Sequence, residues 1–262
     1  MLIMDVDGVI TNLKEKKANP RMIQHVYNEL VNGIPVALNT GRSLDAVVEK
    51  VIVPLTANHP NKNFLEKLIV ALEKGGTWMT FDEDGEPQEH IDESISVPTE
   101  LQSGIQNLIN AKYFNSMFYD SPKKTMISIE MKDGYDMSKY AQDQKLLISE
   151  VKKIIKKYGL ENVLEIEPNP IALDIQNKNV GKDLGIKRIL NWLSVRKIKV
   201  SSFTTIGDMP SDIKMAEELH NNNFSVTHVH VGENRIEGKR PFEIITTASH
   251  YENGALEFLK TL

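Results

Sequence analysis

The strongest constraint on this chain is an alternation of short apolar runs with helical periods, found at both ends and absent from the middle. Leu2-Ile3-Met4 stops at the polar Asp5-Val6-Asp7-Gly8. Between Pro20 and Asn32, apolar residues recur at Met22, Ile23, Val26, Tyr27 and Leu30, a helical period with proline near its start. Gly33 is a stop signal, Ile34 to Leu38 reads as a strand, and Leu44 to Val53 reads as a helix after the cap Ser43. Leu68 to Leu72 is a third strand, ending near Gly75-Gly76. The pattern returns as a helix over Leu184 to Leu193, a strand over Phe203 to Ile206 and a helix over Ile213 to Leu219. Short strands over Phe224 to Val231 and Ile244 to Ile245 follow. Strands alternating with helices require a parallel sheet covered on both faces, so the fold class is α/β with a Rossmann-like core.

The middle has a different grammar. A turn at Asp84-Gly85 precedes a helix around Thr99 to Ala111, a strand at Thr125 to Met131 and a long helix at Ser138 to Tyr158. Paired strands at Val163 to Glu167 and Ile171 to Ile175 flank a tight connection at Asn169-Pro170. This is an α+β pattern set inside an α/β one. The expected organisation is a core of residues 1–80 and 178–262 with an inserted domain over 81–177.

Composition narrows the partners. A net charge of −5 with no basic half argues against nucleic acid or an anionic membrane surface. Lys152, Lys153, Lys156 and Lys157 fall opposite Val151, Ile154 and Ile155 on one helix, a solvated face. The chain has no cysteine, which excludes disulfides, thiolate metal sites and cysteine nucleophiles. Only four residues precede Asp5, no apolar run spans a bilayer, and a cytoplasmic setting is expected.

In an open parallel sheet, ligands bind outside the carboxyl ends of the strands. Three expected core strands end in groups suited to phosphate chemistry: Asp5 and Asp7, then Asn39-Thr40-Gly41-Arg42, then Gly207-Asp208-Met209-Pro210-Ser211-Asp212. Carboxylates of Asp5 and Asp208 suit Mg2+, a hard cation that takes one or two carboxylates together with phosphate oxygens. Asp5 could attack phosphorus, Asp7 could pass a proton to and from the reacting oxygens, and Thr40 and Lys182 could hold phosphoryl oxygens.

These segments resemble the four motifs of the haloacid dehalogenase superfamily phosphatases. Asp5-Val6-Asp7-Gly8-Val9-Ile10-Thr11 is similar to the first motif and Thr40 within Leu38-Asn39-Thr40-Gly41-Arg42-Ser43 to the second. Lys182 within Asn179-Val180-Gly181-Lys182-Asp183-Leu184-Gly185-Ile186 is similar to the third, and Gly207 to Asp212 to the fourth. The resemblance implies Asp5 as nucleophile, Asp7 as general acid and base, and Thr40 and Lys182 as phosphoryl ligands. It implies Mg2+ held by Asp5, the backbone carbonyl of Asp7 and Asp208, with Asp212 close by. The insertion is similar to the α/β cap of the Cof-type and sucrose-phosphatase-like branch, where the cap sets specificity. The sequence departs from that branch at Lys74, where Asn is common, and at Met209-Pro210-Ser211, where Gly and Asn are frequent.

The expected function is Mg2+-dependent hydrolysis of a small phosphorylated metabolite, such as a sugar phosphate, through a phospho-aspartate. A phosphosugar mutase of the phosphomannomutase type and a non-catalytic phosphometabolite-binding protein remain alternatives. Arg42 is read as structural. His228 and His230 share one face of a strand but lack an evident third ligand, and Trp78 and Trp192 read as packing residues. Lys123, Lys124, Asn169 and Gln176 in the insertion cannot be ranked, and the sequence leaves oligomeric state open.

Overall fold

The computed structural model describes residues 1–261. Two compact units emerge, Met1–His90 with Gly181–Leu262, and Ile91–Val180.

In the first unit, β1 (Leu2–Met4) leads to α1 (Pro20–Val31), β2 (Val36–Asn39), α2 (Leu44–Val47), α3 (Val53–Thr56), β3 (Leu68–Leu72), β4 (Thr77–Phe81) and β5 (Pro87–Ile91). The second unit holds α4 (Thr99–Leu108), β6 (Met117–Tyr119), β7 (Ile127–Met131), α5 (Met137–Lys157), β8 (Leu164–Pro168) and β9 (Ala172–Asn177). The chain then returns to the first unit with α6 (Lys182–Val195), β10 (Ser202–Gly207), α7 (Ile213–Asn221), β11 (Ser225–His230), β12 (Glu243–Thr246) and α8 (Tyr251–Leu259).

The larger sheet has the order β12-β11-β10-β1-β2-β3-β4-β5. Its strands from β12 to β3 are all parallel, while β4 returns antiparallel to β3. Period-two alternation sends side chains to opposite faces. Leu2, Met4, Val36, Leu38, Leu68 and Val70 pack in one cluster with α1. Ile3, Ala37 and Ile69 pack in another with Ile186, Ile189 and Trp192 of α6 and Met215 of α7. Both faces are covered, as continuous apolar strands demand.

Local signals explain the main helices. Asn19 caps α1 by accepting from Arg21 N–H, Pro20 occupies the first turn, and Gly33 follows at φ +83°. Asp136 caps α5, whose buried residues Tyr140, Leu147, Val151 and Ile155 fall at helical spacing. Lys152, Lys153, Lys156 and Lys157 lie exposed on its other side.

Three features differ from the sequence reading. The helix expected over Leu44 to Val53 carries a π-type turn at Val48–Ile52 and runs on to Thr56. Its proline, Pro54, sits beside that turn, where a missing N–H is tolerated. Strand β5 and the Asp84-Gly85 turn that leads into it extend the larger sheet past residue 80, where the sequence places the start of the insertion. The β3–β4 turn uses Glu73 and Lys74 at φ +48° and +55°, conformations that neither residue type advertises. The closing helix α8 was also unforeseen.

In the second unit, β6-β7-β9-β8 form an antiparallel sheet with α4 and α5 residues packed on one face. Among the described residues, no helix is long and apolar enough to cross a membrane.

Candidate active site

Parallel pairing fixes where the polar strand ends meet. Met4 is in register with Ile206 of β10 and with Leu38 of β2, so Asp5, Asn39-Thr40 and Gly207-Asp208 emerge side by side at one sheet edge. Asp5 N–H donates to the Ile206 carbonyl at 3.0 Å, extending the ladder by one residue. Gly8 follows at φ +70°, and a Cβ there would stand 2.5 Å from Asp208 Oδ2. Glycine thus permits both the turn and the approach of Asp208.

Lys182 opens α6 beneath these ends. Its Nζ lies 2.8 Å from Asp5 Oδ1 and 2.9 Å from Asp212 Oδ1, and donates to the Asn39 carbonyl at 2.6 Å. Asn39 returns a bond from Nδ2 to the Lys182 carbonyl at 2.7 Å. Nζ therefore donates to the Asn39 carbonyl and forms ion pairs with two carboxylates, those of Asp5 and Asp212. Asp212 is fully buried and its Oδ2 accepts from Met209 N–H at 2.9 Å. A Cβ at Gly207 would fall 2.2 Å from Asp212, so that position too needs glycine.

Carboxyl oxygens of Asp5, Asp208 and Asp212 all lie within 4.8 Å of one another. Burial pushes the Asp5 carboxyl up to about 8, with Lys182 opposing and Asp212 adding. Burial likewise pushes Asp208 up to about 7, with Asp212 adding. For Lys182, burial alone would lower the ammonium, but Asp212 and Asp5 outweigh it and raise it. Three crowded carboxylates facing one ammonium form a site with surplus negative charge. That donor set of hard oxygens fits a divalent cation such as Mg2+.

Thr40 is buried, held by Thr40 N–H to the Ala71 carbonyl and Lys74 N–H to the Thr40 carbonyl, each at 2.9 Å. Its Oγ1 accepts from Arg42 N–H at 3.2 Å. Asp7 points to a different partner. Arg42 donates from Nε to Asp7 Oδ2 at 2.7 Å and from a terminal nitrogen to Oδ1 at 3.3 Å. The sequence reading left Arg42 outside the site. The signal available was its place two residues after Thr40 on the same strand-end loop.

His228 and His230 are both buried on β11. Thr205 Oγ1 lies 2.8 Å from His228 Nδ1, and His230 Nε2 lies 2.5 Å from the Asn234 carbonyl. They do not join the carboxylate group. Burial, offset in part by Asp212, pulls His228 down to about 4. The unfolded chain therefore binds a proton between pH 6.5 and 4 that the native one refuses. Stability from this residue is intact above pH 6.5 and falls as pH drops through that window, by about 3 kcal/mol at its foot. Urea unfolding of His228→Asn is expected to show a shallower loss between pH 6.5 and 4 than the parent.

Trp192 packs in the α6 cluster, and Trp78 lies between Arg188, 4.5 Å from its ring, and His90, stacked at 5.1 Å. In the second unit, buried Lys123 stands 3.8 Å from Asp120 and 4.0 Å from Asp174, and Gln176 donates to Glu165 at 3.0 Å.

Comparisons extend these observations. No protein-family model matches the chain, and no curated protein does. Solved structures do match. A haloacid dehalogenase-like hydrolase from Bacteroides thetaiotaomicron is 12% identical with a TM-score of 0.66, covering 99% of this chain and 98% of that one. The C-terminal domain of trehalose-6-phosphate phosphatase from C. albicans is 12% identical with a TM-score of 0.66, covering 99% and 90%. Trehalose-6-phosphate phosphatase from Aspergillus fumigatus is 13% identical with a TM-score of 0.56, covering 99% and 91%. The chain has the fold of these hydrolases over nearly its whole length.

Proposed function

We propose that this protein is a Mg2+-dependent phosphomonoester hydrolase that acts on a small phosphorylated metabolite through a phospho-aspartate at Asp5. The observation that carries the reading is the gathering of Asp5, Asp208, Asp212 and Lys182 at the carboxyl edge of the sheet. The fold supports it, being shared with a haloacid dehalogenase-like hydrolase and with trehalose-6-phosphate phosphatases. The absence of cysteine fits a cytoplasmic setting.

Each residue has a task that its environment suits. The Asp5 carboxylate attacks phosphorus, the ester oxygen leaves, and the phosphoryl group passes to Asp5. Asp7 donates a proton to the departing oxygen and takes one from the water that later attacks the phospho-aspartate. The bidentate hold of Arg42 orients the Asp7 carboxylate, and the guanidinium must yield that contact as Asp7 turns to the reacting oxygens. Lys182 offsets charge between Asp5 and Asp212, and Thr40 offers its hydroxyl to a phosphoryl oxygen. Asp5, Asp208 and the carbonyl of Asp7 would hold Mg2+, with Asp212 in support. When bound, the ion offsets repulsion between nucleophile and phosphate and polarises the phosphoryl oxygen.

We prefer a hydrolase to a mutase because the solved structures that share the fold include a hydrolase and a phosphatase. A pure binding protein would have no use for an acid-base residue at Asp7. The test is phosphate release from p-nitrophenyl phosphate and a panel of sugar phosphates. Release is expected with Mg2+ and is expected to stop on adding EDTA. Mg2+ is also expected to raise the thermal midpoint, since a ligand that binds the native state alone stabilises it. Isomer formation without free phosphate would overturn the reading in favour of a mutase.

A further inference from the structure

Asp208 is held differently from the other two carboxylates. Lys182 pairs with Asp5 and Asp212, whereas no ion pair to Asp208 is found among the described residues. The place of Asp208 is set instead by backbone packed against it. Gly8 lies against its carboxylate, where a Cβ would stand 2.5 Å from Oδ2. Gly232 lies against its peptide, so close that a Cβ there would collide with the Asp208 carbonyl oxygen. Asp208 is thus fitted between two glycines from two loops, one at its acid group and one at its backbone.

The second loop is tied down by bonds of its own. Gly207 and His230 are partners in the parallel β10–β11 pairing, and Val231 N–H donates to the Gly207 carbonyl at 2.9 Å, carrying the ladder one step past the strands. The Val231 carbonyl accepts from Tyr251 N–H at 2.6 Å. Tyr251 opens α8 at φ +56°, a left-handed conformation that persists in a tyrosine only where the surroundings impose it. The chain then curls back, and His230 Nε2 lies 2.5 Å from the Asn234 carbonyl. A carbonyl oxygen only accepts, so Nε2 is the donor. His230 is buried, and its Nδ1 has no hydrogen-bond partner. Leucine would fill this place without leaving a buried ring nitrogen unpaired, so what imidazole adds is the single bond to the loop. The ring also packs on that loop, with Cε1 3.0 Å from where a Cβ of residue 232 would stand.

We propose that His230 and Gly232 are positioning residues for Asp208: the bond from His230 to the Asn234 carbonyl closes the loop over residues 231–234, and the closed loop seats Gly232 on the Asp208 peptide, which aims the carboxylate at the ion. This rests on the reading of the site as a Mg2+ centre and adds to it two residues that are not themselves ligands. Groups that hold a metal ligand in place govern affinity by fixing its direction before the ion arrives. His228, two residues earlier on the same face, is bonded to Thr205 within the sheet and takes no part in this clamp.

Calorimetric titration of Mg2+ into the metal-free chain, alongside release of phosphate from p-nitrophenyl phosphate, tests the clamp. His230→Leu keeps the bulk and removes the donor, and Gly232→Ala displaces the Asp208 carbonyl directly. Each is expected to raise the Mg2+ dissociation constant by about tenfold to a hundredfold. The loss of turnover at low Mg2+ is expected to be largely recovered at saturating Mg2+. His230→Gln, whose amide Nε2 donates at a similar reach, is expected to restore most of the affinity. If His230 served packing alone, His230→Leu would lower the thermal midpoint of the metal-free chain and leave Mg2+ binding as in the parent, a result that overturns the proposal. Equal losses of affinity in His230→Gln and His230→Leu would overturn it as well. Should His230→Leu fail to fold, Gly232→Ala decides, and unchanged Mg2+ affinity there is fatal to the clamp. Mg2+ binding by the parent without phosphate release would count against the phosphatase reading and leave the test of the clamp intact. A parent that does neither would remove the metal centre and the clamp together.

Discussion

Asp5→Asn is expected to lower phosphate release by about 10⁴-fold or more while leaving the fold intact. The amide is the same size as the carboxylate and keeps an oxygen able to accept from Val6 N–H and Lys182, the two bonds that Asp5 Oδ1 receives at 2.7 and 2.8 Å. What it loses is the anionic oxygen that attacks phosphorus. It also relieves part of the crowding among Asp5, Asp7 and Asp212, so thermal stability is expected to hold or rise slightly. Phosphate release and thermal unfolding, measured on one preparation, separate the two effects. More than about one percent residual turnover would rule out a phospho-aspartate at this position.

Much of this site was legible because each functional group ends a buried strand. Leu2-Ile3-Met4, Val36-Ala37-Leu38 and the run up to Ile206 announce themselves by apolar character, and the abrupt change to Asp5, Asn39-Thr40 and Gly207-Asp208 marks the edge. Parallel pairing then does the rest, since it aligns all carboxyl ends. The pairing of Arg42 with Asp7 was not legible. It depends on a side chain reaching across from one strand end to the next, and periodicity says nothing about such reach. The β4 strand escaped for another reason. Its entry turn places Glu73 and Lys74 in the left-handed region, stabilised by bonds from Glu73 N–H to the Arg42 carbonyl and Lys74 N–H to the Thr40 carbonyl. Tertiary bonds, not turn chemistry, hold that corner. The π-type turn is similarly silent in sequence, because Val48 to Ile52 reads as an uninterrupted helical period.

Lys182→Met tests the site from its other side and carries the largest expected cost in stability. Lys182 is the sole ammonium bonded to both Asp5 and Asp212 among the described residues, and Asp212 is wholly buried. Methionine fills most of the space but cannot offset either carboxylate or donate to the Asn39 carbonyl. Breaking a buried pair by removing one partner leaves uncompensated charge, and about 3 kcal/mol or more of folding stability is expected to go at neutral pH. Proton uptake by the orphaned carboxylates limits the loss, so it should shrink as the pH is lowered. Turnover should fail together with stability. The double variant Asp5→Asn with Lys182→Met distinguishes charge from packing. If charge dominates, the second substitution recovers at least about 1 kcal/mol relative to the sum of the single losses in a urea double-mutant cycle. Additive losses would instead mean that Lys182 serves as a spacer between strand ends, and the electrostatic account of this cluster would have to be abandoned.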